Sequence, residues 1–355
     1  MKPRICSTLF VLAATLSMPA AHAYPIDGYE ETGIRRVEGA RLANEGLVKG
    51  SKQPPGALLT TEQVDLRLLD HRDLDLPEPD AQFTAELLKL LGSNAGSYGV
   101  AVLDLSSPDN PRYAEHRGDY RQNVGSVGKL VVALGLFQAL ADTWPDDTDQ
   151  RFRVLRDTLV TADEFSQSDH HKVRIFDVEN RKLTRRTIQP GDQGSLWEYL
   201  DWMLSVSSNS AAAMTMREAM LLRQYGREYP PSEAEIERFF KETPGKELTA
   251  LFQNTFFEPI RRNGLDLENL RQGSFFTRQG KRLVNGGGNS YGTARELMLL
   301  TLRMEQGRLV DEFSSRQIKR LLYMTERRIR YASSPALTDS AVYFKSGSLY
   351  SCREE

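Results

Sequence analysis

Cysteine is almost missing from this chain. Of its 355 residues only Cys6 and Cys352 are cysteine, and Cys6 falls in a stretch read below as a cleaved leader. One remaining thiol excludes an internal disulfide framework, a Cys-based zinc site and a paired redox motif. Histidine is scarce as well, with five residues and no H-E-x-x-H pair. An excess of one charge is also lacking: 46 Lys and Arg stand against 48 Asp and Glu, for a net charge of −2. Nothing here is basic enough to draw nucleic acid. No cofactor fingerprint is found. Gly128-Lys129 is followed by Leu130 where a phosphate-binding loop needs Ser or Thr. Val124 stands where a G-x-S-x-G elbow needs Gly. Adjacent His170 and His171 point apart on a regular element, so Asp169-His170-His171, with Asp163 and Glu164 nearby, reads as a solvated loop before a metal site. Asn285-Gly-Gly-Gly-Asn289 follows no clear strand and reads as a flexible loop before a phosphate cradle.

What is there begins with an export signal. Lys2 and Arg4 form a positive start, Thr8 to Leu16 a short apolar core, and Ala21-His22-Ala23 a cleavage site. The apolar run is too short for a membrane span of about 20 residues, and no later stretch is read as long and apolar enough for one. The expectation is a signal peptide over 1–23, cleaved after Ala23, and a periplasmic or secreted protein. Residues 24–79, with Gln53-Pro54-Pro55-Gly56 and Pro77-Glu78-Pro79, read as an extension or linker with a short helix. Residues 80–355 carry the domain; hydrophobic residues are 40% of the chain and charged ones 26%, enough for a packed core.

Local patterns place elements. Asp80 is a helix N-cap, followed by Phe83, Leu87, Leu88, Leu90 and Leu91 at helical spacing, with Gly92 as the stop. Tyr98 to Leu105 reads as a buried strand, with a turn over Ser106 to Pro111 and a return through Tyr113. Ser126 opens a helix that is apolar all round, Val127 to Leu140, and therefore central. A hairpin is expected around Glu179-Asn180-Arg181. Helices are expected over Ser195 to Leu204, from Ala211, over Ser232 to Phe240, and from the capping box Thr293-Ala-Arg-Glu296. Val342 to Phe344 reads as a late strand. The order predicts an α+β fold, with the first and last strands meeting in one antiparallel sheet flanked by helices.

Three short motifs carry chemistry. Ser126-Val127-Gly128-Lys129 is the only S-x-x-K in the chain. Residues three apart share a helix face, so the amine can sit beside the hydroxyl. A serine is a poor nucleophile until its proton is taken, and a lysine can take it if its pKa falls well below its ordinary 10.4. The start of a helix also favours developing negative charge. Taken alone, the motif equally fits an N-cap serine with an ordinary lysine. Ser207-Ser208-Asn209 then lies in a turn between two helices, and Lys345-Ser346-Gly347 follows Val342-Tyr343-Phe344.

In this order, S-x-x-K, S-x-N and K-[ST]-G, the chain resembles the serine β-lactamase and penicillin-binding protein superfamily, nearest to its class A branch. The resemblance runs from about Asp80 to Tyr350. It implies Ser126 as the acylated nucleophile, Lys129 as its proton acceptor and Ser207 as the proton relay to the leaving nitrogen. It implies Asn209 as the group holding Lys129 and the substrate amide. Lys345 and Ser346 are then the partners of a substrate carboxylate, Gly347 the point of close backbone approach, and the N–H groups of Ser126 and Ser348 the oxyanion hole. Substrates are β-lactams or D-Ala-type cell-wall peptides, with no cofactor and no metal. Two departures qualify it. The E-x-x-L-N pattern of the deacylating glutamate is not found; Glu258, Asp266 and Glu268 lie in the region without that pattern, which favours acylation with slow turnover. Only eight residues follow Gly347, where the family adds strands and a closing helix, so C-terminal strands and helix are expected to be missing. A catalytically silent protein of the same fold, binding a cell-wall peptide or a protein partner, is the alternative.

Overall fold

The computed structural model describes residues 26–326 and 332–349. The leader reading of 1–23 and Cys352 therefore lie outside the described residues.

The centre of the molecule is α4 (Lys129–Thr143), preceded by a 3₁₀ turn over Gly125–Gly128. Residues 129–141 are all buried, as an uninterrupted apolar sequence demands. By length and composition Gly125–Thr143 could cross a membrane, although the sequence reading found no such stretch; in this fold 72% of it is buried inside. It packs against α6 (Leu196–Ser205), α7 (Asn209–Tyr225) and α9 (Gly245–Phe256). Between those last two comes the amphipathic α8 (Glu233–Glu242). Ser195 starts α6 with a full capping box: its side chain accepts from the Glu198 N–H, and the Glu198 carboxylate accepts from the Ser195 N–H.

On one side of this bundle, β1 (Val100–Asp104) pairs antiparallel with β2 (Arg112–His116), in register Val100 with His116. α3 (Ala81–Leu91) lies against β2, capped by Asp80, whose carboxylate accepts from the Phe83 N–H at 2.7 Å. It stops at Gly92, where φ is +55°, a conformation that favours glycine. α12 (Ala294–Glu305) packs on β1 and α13 (Glu312–Tyr323) on α12. Short pieces complete the body: α5 (Thr148–Asp157), α10 (Glu258–Arg262) and α11 (Arg278–Leu283). The remaining strands form pairs, β3 (Leu159–Thr161) with β6 (Gln193–Ser195), β4 (Val173–Asp177) with β5 (Lys182–Arg186), and β7 (Leu270–Arg271) with β8 (Tyr291–Gly292). The β4–β5 turn is the hairpin expected at Glu179-Asn180-Arg181.

The class is α+β with antiparallel pairs, as expected, but two details differ. Among the described residues the sheets are all two-stranded, and residues 341–349 carry no strand. Val342 to Phe344 therefore does not join β1 in a common ladder. The Tyr343 ring lies 5.2 Å from that of Tyr323 on α13, and the Phe344 carbonyl accepts from Thr325 Oγ1 at 2.8 Å.

The described part of the 24–79 extension is fastened to the body. It holds α1 (Tyr29–Thr32) and α2 (Arg35–Asn44). Ile34 and Val37 are fully buried in the core. Arg36 is buried against Asp201 of α6 at 2.5 Å and Glu326 at 3.3 Å, and Arg35 pairs with Glu198 at 2.8 Å. Removing one member of a buried ion pair strands the other charge, at a cost of about 3–5 kcal/mol.

Candidate active site

The first two motifs meet at one amine, and the third reaches the same cluster through Ser207. Lys129, at the first position of α4, is fully buried. Its Nζ lies 2.9 Å from Ser126 Oγ, 2.7 Å from Asn209 Oδ1, 2.9 Å from the Ser207 carbonyl and 3.2 Å from Ser207 Oγ. The Phe276 ring covers it, centroid at 4.5 Å, where an aromatic face attracts a cation.

Ser126 sits in the 3₁₀ turn, not in the first turn of a helix beginning beside it; α4 starts only at Lys129. Gly125, at φ +52°, turns the chain into this piece, and the Asn123 side chain accepts its N–H at 2.9 Å. The tighter 3₁₀ winding nearly eclipses residues three apart, which brings Ser126 over Lys129. Gly128 lets Gln272 approach closely: a Cβ there would stand 2.1 Å from Gln272 Oε1 and would have to displace that side chain.

Ser207 and Asn209 come from the turn between α6 and α7. α7 begins at Asn209, two residues earlier than the sequence pattern indicated, because Ser208 is its N-cap and accepts from the Ala211 N–H. Ser207 holds φ at +65°, an uncommon conformation for a non-glycine residue. Lys345 reaches the same serine: its Nζ lies 2.9 Å from Ser207 Oγ and 2.8 Å from the Ser346 carbonyl. The Ser207 oxygen thus accepts from two amines, which leaves its own proton available to a ligand. The third motif also meets the first through the backbone. A Cβ on Gly347 would stand 2.5 Å from the Val124 carbonyl and 3.5 Å from the Ser126 nitrogen, and one on Gly125 would stand 3.3 Å from the Ser348 carbonyl. Ser126, Lys129, Ser207, Asn209 and Lys345 are therefore joined by hydrogen bonds, with Gly347 and Ser348 against the serine turn. Ser346 takes part through its carbonyl.

The acids considered for deacylation are engaged elsewhere. Glu258 pairs with Arg261. Asp266 accepts from the Glu268 N–H at 2.8 Å and from Asn269 Nδ2 at 2.7 Å. Glu268 is exposed, 3.8 Å from Arg121. The same region sends Gln272 and Phe276 toward the serine turn instead. Gln272 is buried, donates from Nε2 to the Ser274 carbonyl at 2.5 Å, and keeps Oε1 without a hydrogen-bond partner. Neither residue was singled out in the sequence, because a glutamine and a phenylalanine in a loop match no motif.

Asp169, expected in a solvated loop rather than a metal site, has a side chain only 1% exposed. Asp169, His170 and His171 do offer ligand atoms within 4.8 Å of one another. The Asp169 carboxylate, however, is buried and already accepts from the Ser208 hydroxyl and the Asn209 and Ser210 N–H groups on one oxygen, and from His171 on the other. Burial works against its charge, yet the hydrogen bonds from His171 and the Ser210 N–H prevail and hold its pKa well below the usual carboxylate range.

Residues 82–355 match the β-lactamase enzyme family. No curated protein matches the chain. Among solved structures, it is similar to PBP-A, at 16% identity over 71% of this chain and 72% of that one, with a TM-score of 0.39. It is also similar to a β-lactamase from Sphaerobacter thermophilus DSM 20745, at 12% identity over 70% and 71%, TM-score 0.42. A third, a β-lactamase from Chitinophaga pinensis DSM 2588, stands at 12% over 71% and 75%, TM-score 0.39.

Proposed function

From the premise that the chain belongs to the β-lactamase enzyme family, we propose a serine hydrolase that opens the amide of β-lactams or D-Ala-type cell-wall peptides through an acyl-enzyme on Ser126. The observation that carries this reading is the Lys129 amine within hydrogen-bonding distance of Ser126, Ser207 and Asn209 together.

In its neutral form the Lys129 amine takes the Ser126 proton as Oγ attacks the carbonyl carbon. The oxyanion that forms is met by the backbone N–H groups of Ser126 and Ser348. When the C–N bond breaks, Ser207 gives its proton to the leaving nitrogen and is reprotonated from Lys129, so the proton ends where the bond was lost. The Asn209 amide, oriented by its Oδ1 on Lys129, presents N–H groups to the acyl side chain. Lys345 and Ser346 bind the substrate carboxylate. Water then resolves the ester. The Phe276 ring beside Lys129 and the engagement of Glu258, Asp266 and Glu268 elsewhere favour slow resolution, and so a penicillin-binding rather than a rapidly hydrolysing enzyme. Export belongs to the same reading: a leader over 1–23 delivers the protein to the compartment where such peptides occur.

The test is incubation with a fluorescent penicillin, then intact and peptide mass spectrometry. A stable adduct on the peptide containing Ser126 is expected, with nitrocefin turned over slowly. No adduct on the wild type sinks the proposal and leaves a silent binder. N-terminal sequencing of exported protein is expected to begin at Tyr24; an uncleaved chain refutes the leader.

A further inference from the structure

Outside the three motifs, one side chain bonds directly to the turn that supplies two of the converging groups. Asp169 lies about 40 residues ahead of that turn and belongs to none of the motifs. Its Oδ2 accepts from Ser208 Oγ at 2.9 Å, from the Asn209 N–H at 2.8 Å and from the Ser210 N–H at 3.0 Å. Its Oδ1 accepts from the His171 N–H at 3.1 Å and lies 2.6 Å from His171 Nδ1. Only 1% of the side chain is exposed.

The geometry of the turn needs such a hold. Ser207 sits at positive φ, a strained conformation that persists only where the surroundings impose it. Directly after it, α7 opens with N–H groups that lack helical partners. A carboxylate at a helix start satisfies these donors and complements the dipole. One oxygen pins the N-cap side chain and the next two amides, so the directions of Ser207 and Asn209 toward Lys129 follow from the position of Asp169. His171 fixes the carboxylate from the other side, and its ring stacks on His170 at 4.4 Å.

We propose that Asp169 is a positioning residue that aims Ser207 and Asn209 at Lys129 and Ser126, with His171 orienting its carboxylate. This rests on the acylation reading above, since the rate it governs is that of acyl transfer. Asp169→Asn keeps one accepting oxygen and loses the charge; Asp169→Ala loses both. A misplacement of the order of 1 Å can cost about 10²-fold in rate.

Penicillin acylation is measured over a range of concentrations for the wild type, D169N and D169A, to separate binding from the acylation rate constant. Amide exchange at Asn209 and Ser210 is measured in parallel. The expected result is an acylation constant about 10²-fold lower in D169A, intermediate in D169N, with binding little changed. Exchange should rise at those two amides and not farther along α7. Variants that melt earlier but acylate at the wild-type rate overturn the positioning role. Should D169A fail to fold, D169N and His171→Gln carry the same comparison. If the wild type is never acylated, the acylation reading fails by itself; unchanged exchange at Asn209 and Ser210 in D169N then overturns the hold on the turn independently.

Discussion

The second and third motifs are built in different ways. The second is a turn between two core helices: residues 201–208 are all buried, and Asp169 secures the turn from below. The third is a surface segment: 341–346 are half-buried, 347–349 exposed, and no strand runs through them. Its ties include Lys345 to Ser207, the Phe344 carbonyl to Thr325, and the backbone of Gly347 against Val124. The groups assigned to proton transfer therefore share the rigidity of the core. The groups assigned to substrate recognition rest on a few polar links and one close backbone approach.

The difference predicts a ranking of variants. Ser126→Ala is expected to lower penicillin acylation by at least about 10³-fold with the fold intact, as read by adduct mass and circular dichroism. Lys129→Met removes the buried amine from Ser126, Ser207 and Asn209 and is expected to cost about 10²–10⁴-fold in acylation, with a lower melting temperature because the Asn209 Oδ1 and the Ser207 carbonyl lose this donor. Lys345→Ala should be gentler, about 10–100-fold in acylation efficiency, the worth of a charge-assisted hydrogen bond. Its melting temperature should stay near that of the wild type; a large drop would show that the third motif is as much a part of the core as the second. Gly128→Ala, which must displace the Gln272 carbonyl, is expected to destabilise by about 1–3 kcal/mol, measured by denaturant unfolding.

Acid gives the smallest and most selective probe. The Asp169 carboxyl titrates lower in the folded protein than its ordinary value. Its contribution is therefore complete above the unfolded pKa, about 4, and is lost as pH falls through the depressed folded value. The stability difference between wild type and D169N should be constant near neutrality and shrink below about pH 4. A difference that grows on acidification refutes the sign of that coupling.

Much of this was legible in the sequence where the signal was local. Asp80 and Gly92 bound α3, Thr293 caps α12, and the apolar length of α4 marked the centre, because each depends on neighbours within a few residues. The meeting of Lys129 and Lys345 at Ser207 was legible only through motif order, since no local rule joins residues 78 or 138 apart. The fastening of α2 gave no signal: Arg35-Arg36 looks like any surface pair until Glu198, Asp201 and Glu326 are placed around it. Asp169 was hidden because three of its bonds come from backbone N–H groups, which every sequence has, and its Ser208 partner is 39 residues away. The strand expected at Val342 to Phe344 does not pair with β1 because an apolar run indicates burial and does not name a hydrogen-bonding neighbour.

The Arg36 clamp has a consequence for the order of folding. Its partner Asp201 lies 165 residues away and the Met324 carbonyl, which it also binds, 288 away. Contacts of such separation come at the end of loop closure, since the chain loses entropy before they reward it. A helix near the start of the chain is thus among the last to settle, and until it does, Asp201 remains a charge waiting for its counterion inside an unfinished core, while Glu326 has Arg174 for a partner.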